Sequence, residues 1–103
     1  MDRAEIERLL ASRNETAIAD ALLSAAYYEP DWQWVQGQCL HFLNDPENNN
    51  RWIAAVCLGH LARIHRKLDL EVVLPKLQVL KDDPAVGSAV EDALADIRFY
   101  LVQ

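Results

Sequence analysis

The phrase Arg51-Trp52-Ile53-Ala54-Ala55-Val56-Cys57-Leu58-Gly59-His60-Leu61-Ala62-Arg63-Ile64 sets the period of this 103-residue chain. A forward shift of 36 residues lays Ala54 on Val90, Cys57 on Ala93, Leu58 on Leu94 and Leu61 on Ile97. The same shift backwards lays Ile18, Ala21, Leu22, Ala25 and Tyr28 under Ala54, Cys57, Leu58, Leu61 and Ile64. A period of that size is the mark of stacked helical units, none of which can bury its apolar face alone.

Working outward from the phrase, the spacing of apolar residues predicts six helices and no strand. The first runs from about Asp2 to Ser12 on Ile6, Leu9 and Leu10, with Asp2 and Glu5 near its positive end. Asn14 caps the second, which follows Ile18, Ala21, Leu22 and Ala25 to Tyr28 before Pro30 stops it. Asp31 caps the third, striped by Val35, Cys39, Phe42 and Leu43. Asn44–Asn50 is turn chemistry, and the fourth helix, about Asn49 to Lys67, is the longest, with Ile53, Cys57, Leu61 and Ile64 inward. Asp69 caps the fifth, which carries Val73, Leu74, Leu77 and Leu80 with Pro75 inside it. Asp83-Pro84 starts the sixth, with proline at the first helical position, where its missing N–H costs little. Gly37, Gly59 and Gly87 all fall within helical patterns, and Gly59 reads as a close-packing position. Paired first with second, third with fourth and fifth with sixth, the helices form one domain of three units, about 2–29, 31–67 and 69–102.

Composition narrows the function classes. A net charge of −6 and a pI near 4.9 oppose bulk attraction to nucleic acid or an anionic membrane, and suit a basic partner. No apolar run approaches the roughly 18–20 residues that span a bilayer, and the N-terminus lacks a signal pattern, so a cytoplasmic location is expected. Cys39 and Cys57 sit in apolar phrases as reduced core residues. Neither Cys57 with His60 nor Cys39 with His41 has zinc-ligand spacing, so no metal site is expected. Ser12, Ser24 and Ser88 lie on no nucleophile elbow, and no glycine-rich phosphate loop occurs. Neither catalysis nor a cofactor is expected.

The chain resembles the HEAT repeat family. The resemblance rests on Leu43-Asn44-Asp45-Pro46 with Arg51–Leu61, and on Leu74-Pro75-Lys76-Leu77, Leu80, Asp82-Asp83-Pro84, Ala89, Ala93-Leu94 and Ile97. It covers residues 31–100 well and the first thirty loosely. It implies a short right-handed α-solenoid of three antiparallel helix pairs, in which Pro75 is a tolerated kink. It further implies an ion pair between Asp45 and Arg51 across the central loop; in the last unit Ser88 stands where the arginine would partner Asp82, which marks a capping unit.

The resemblance implies protein binding, not chemistry. The most specific version is a bacterial immunity protein that neutralises a cognate toxin, a basic nuclease domain fitting the charge. The alternatives are a generic HEAT-repeat scaffold or adaptor, and an accessory subunit resembling those of bilin lyases. Candidate contact residues are Trp52, Val56, His60 and Arg63, which share a face beside the inward stripe, together with Trp32, Glu91 and Asp92. Asp96 adds to the acidic character of the sixth helix, and Tyr27 and Tyr28 to a local aromatic excess. Trp34 reads instead as a gap filler between stacked pairs. The basic cluster Arg63, His65, Arg66 and Lys67 reads as cations offsetting a helix C-terminus.

Overall fold

Five of the six helices begin where the chain supplies an acceptor or a tight turn. The computed structural model describes residues 1–102, and among them are six α-helices and no strand. They are α1 (Arg3–Leu10), α2 (Glu15–Tyr28), α3 (Trp32–Leu43), α4 (Arg51–His60), α5 (Leu70–Leu80) and α6 (Gly87–Tyr100). Of the caps expected at Asn14, Asp31 and Asp69 the first two are formed, and Asp2, expected only as a charge near the helix end, caps as well. Asp2 accepts from the Glu5 N–H at 2.8 Å, Asn14 from Ala17 at 3.0 Å and Asp31 from Trp34 at 3.2 Å. Asp69 precedes α5, but its side chain makes no such bond; its own N–H instead donates to the buried Gln36 Oε1 at 2.7 Å. That bond ties the start of α5 to α3.

α1 packs on α2, α3 on α4 and α5 on α6, while α2, α4 and α6 touch one another in that order. α4 therefore occupies the centre. Small side chains make this possible: Ala54, Ala55, Cys57 and Gly59 are all buried, on more than one side of the helix. A Cβ on Gly59 would stand 3.2 Å from the Ala93 Cα and 3.5 Å from its Cβ, so glycine sets how closely α4 approaches α6. Around this contact lie the fully buried Leu22, Leu58, Leu61, Leu77 and Ile97. Each stabilises the fold by about 1.5–3 kcal/mol through removal from water. Cys39 and Cys57 are both free and buried. Hydrogen bonding to Cys57, then burial, pushes the Cys39 thiol well above its ordinary value, which leaves it inert and protonated.

Four further expectations are corrected. First, Pro84 does not open α6; residues 84–86 form a turn and the helix starts at Gly87. The Asp83 carboxylate accepts from the Ala85 N–H at 2.9 Å and its carbonyl from Gly87 at 2.7 Å, a turn that competes with the helix. A Cβ on Gly87 would lie 2.7 Å from the Lys81 carbonyl oxygen, so that glycine serves the turn. Second, Arg51 does not pair with Asp45. Its Nη2 donates to Asp83 at 2.9 Å and its Nη1 to the Pro46 carbonyl at 3.4 Å, while Asp45 caps its own loop at the Glu47 N–H. The arginine thus bridges the α3–α4 loop and the α5–α6 loop. Third, α4 is not regular to Lys67: a π-helical turn, Leu61–His65, follows it and ends at Arg66, whose φ of 58° is left-handed. Fourth, Ile53 and Ile64 are only half-buried, whereas Ala54, Ala55, Leu58 and Ala62 are fully buried. Central placement makes α4 inward-facing over most of its girth.

Candidate protein-binding surface

On α4 the one side left open is the line Trp52, Val56, His60, each a turn beyond the last. Trp52 is 47% exposed and borders a shallow pocket of about 180 Å³ with Pro46, Asn49 and Val86. Val56 is half-buried behind it. His60 meets α2: its ring centroid lies 5.0 Å from that of Tyr27 at a 37° tilt. Its Nδ1 is 2.8 Å from the Arg63 Nη2. Guanidinium can only donate, so Nδ1 accepts and the imidazole is neutral with its proton on Nε2. Burial, then the Arg63 charge, holds the His60 pKa below its ordinary value, against a smaller opposing pull from Asp96 on α6.

The π-helical turn fastens the far end of this line to both neighbours. The His65 Nε2–H donates to the Ala26 carbonyl in the last turn of α2 at 2.9 Å. The Arg66 guanidinium sits 5.0 Å from the Tyr100 ring centre on α6. The basic cluster is thus distributed: Arg63 binds His60, His65 covers a carbonyl of α2 rather than of its own helix, and Arg66 stacks on an aromatic ring. At the other end, the buried Asn50 donates to the Glu15 carbonyl at 3.0 Å, and Asn49 bonds the Glu15 carboxylate. Both ends of α4 are therefore anchored to α2, which makes the exposed line between them rigid.

The remaining candidates disperse. Asp92 is exposed on α6, one turn before Asp96 and on the same side. Glu91 faces the other way, lining a groove of about 570 Å³ between α5 and α6 with Leu74, Lys81 and Leu94. Trp32 lies half-buried against the core at the start of α3, away from the layer of α2, α4 and α6. Trp34 fills space as expected, with the Arg3 guanidinium 3.8 Å above its ring.

Sequence reasoning passed over Phe99, 69% exposed at the end of α6, and Asp20 on α2. The signal was the repeat register itself. The 36-residue shift that laid Cys57 on Ala93 also lays Val56 on Asp20 and Asp92, and Arg63 on Tyr27 and Phe99. Applied to the outward positions, it lines up one surface across three helices.

Among the described residues no group of three or more His, Cys, Asp or Glu side chains could hold a metal ion, and no helix is long and apolar enough to cross a membrane. No protein-family model and no curated protein matches the chain. It is similar to a chain in the crystal structure of a CDI complex from Cupriavidus taiwanensis LMG 19424. The two are 45% identical and superpose with a TM-score of 0.86, over 97% of this chain and 89% of that one. At that identity over nearly the full length of both, this protein belongs to the family of that CDI-complex chain.

Proposed function

We propose that this chain is the immunity protein of a contact-dependent inhibition (CDI) system, which binds a cognate toxin and blocks it by occupying its surface, without chemistry of its own. The observation that carries the reading is the 45% identity, over 97% of this chain, to a chain of a CDI complex. Such a complex joins a toxin to its immunity protein, and charge favours the second role. A toxin acting on nucleic acid needs cations to hold its polyanionic substrate, whereas −6 repels one. The same charge speeds encounter with a cationic toxin domain, a nuclease being the class it fits best. Immunity acts inside the cell that is attacked, hence a cytoplasmic site of action.

The contacts α1–α2, α3–α4 and α5–α6, with α2, α4 and α6 touching in series, support reading the fold as a short HEAT-like solenoid of three helix pairs. In that reading α2, α4 and α6 are equivalent helices of successive units, in keeping with the 36-residue register. Cells producing the toxin domain encoded beside this chain's gene are expected to survive only when the chain is coexpressed. Growth arrest with the chain present at matching levels would remove the immunity reading.

A further inference from the structure

Of the three helices of the open layer, α2 and α6 carry only acidic charge ahead of their last turns, and α4 carries no unpaired charge. α2 contains no lysine or arginine, and its exposed charges there are Glu15 and Asp20. On α4 the single arginine, Arg51, is 11% exposed and engaged by Asp83. α6 presents Asp92 and reaches its one cation, Arg98, only in its last turn. In the 36-residue register Val56, with exposed Trp52 a turn before it, aligns with two exposed aspartates, Asp20 on α2 and Asp92 on α6. The helices are close enough for these positions to form one face. Tyr27 stacks on His60 from one side, and the Asp96 carboxylate would lie 3.0 Å from a Cβ on Gly59 on the other.

We infer that the toxin docks on this α2–α4–α6 face, seating a lysine- or arginine-bearing patch on Trp52 and Val56 between Asp20 and Asp92; the inference rests on the immunity reading above. A cation over an indole face gains from the ring quadrupole, and carboxylates on both sides give it charge-assisted partners. The apolar centre with an acidic rim has the layout of a protein-binding hot spot, in which a tryptophan carries much of the affinity. His60 is neutral, and the one cation near it, exposed Arg63, sits three residues beyond it at the far end of the line, away from Trp52 and Val56. The competing surface is the outer side of α5, where Val79 is 80% exposed. There Lys76 lies beside Val79 and Lys81 is followed by exposed Asp82, a mixed setting without the uniformly acidic flanks of the other face.

The probe is the purified toxin domain encoded next to this chain's gene, titrated against wild-type chain and variants by biolayer interferometry. Trp52→Ala is expected to raise Kd by about tenfold or more, and the double reversal Asp20→Lys, Asp92→Lys by about a hundredfold, the latter deepening as salt is lowered. Circular dichroism and Tm of each variant establish that the fold is kept; the aspartates are solvent-facing, so their reversal tests the face even where Trp52→Ala unsettles packing. Val79→Glu should leave Kd unchanged. Wild-type affinity in both face variants, or loss confined to Val79→Glu, overturns the assignment while leaving immunity intact. Absence of any wild-type complex overturns the immunity reading and the face with it.

Discussion

α4 and α5 invite comparison because the richer apolar segment is the less buried one. α5, LEVVLPKLQVL, is crowded with large aliphatic side chains, yet among them only Val73 and Leu77 are fully buried, and the helix leans chiefly on α6. α4, RWIAAVCLGH, has fewer large aliphatics but buries five consecutive or near-consecutive small and medium residues and touches α2, α3 and α6. Close approach on several sides requires side chains that leave room, and interior packing is dense enough that one methyl group is felt. Residue size, more than apolar content, marks the central helix of this fold.

The sharpest way to break that comparison is to enlarge α4. Gly59→Val would press its branched side chain into Ala93 and the Asp96 carboxylate, and is expected to cost about 1–3 kcal/mol in chemical denaturation, or to prevent folding. A stability equal to wild type would show that the α4–α6 contact is loose. A smaller effect is expected where Arg51 joins the α3–α4 and α5–α6 loops by charge. The hydrogen bond from Arg51 holds the Asp83 carboxyl below its ordinary value. A lowered folded pKa contributes stability above the ordinary aspartate value of about 3.9 and loses it as pH falls through the folded one. Asp83→Asn should therefore lower Tm at neutral pH, with the gap to wild type closing below about pH 4. A gap that stays constant into acid would mean the ion pair contributes nothing. The smallest effect belongs to α5: Val79→Ser should change stability by less than about 0.5 kcal/mol, because this valine is already in water.

How much of this was legible in the sequence follows from the range of the interactions involved. The caps at Asn14 and Asp31 were readable because each joins residues three apart. Gly59 was readable because a glycine inside a regular helical phrase costs about 1 kcal/mol against alanine, which a close helix contact offsets. The turn at Asp83–Val86 was not, since Asp-Pro suits both a helix start and a turn, and the carbonyl of Lys81 against Gly87 decides it. Nor was the π-helical turn, which is held by His65 to α2 and Arg66 to α6, partners 39 and 34 residues away. The arginine ladder was misjudged in the same way: the HEAT resemblance implied a partner in the same loop, and the fold supplies one 32 residues on. Of the proposed binding face, the line Trp52, Val56 and His60 could be read from four-residue spacing alone. Its flanks needed the repeat register carried to the outward positions.

Whether this chain binds and silences a toxin is decided most directly by isothermal titration of the purified chain with the toxin domain encoded beside it. A one-to-one complex whose affinity weakens as salt rises, formed in parallel with loss of toxin activity, is the predicted result. Heat signals at the level of dilution across the titration, with toxin activity undiminished at excess chain, would contradict it.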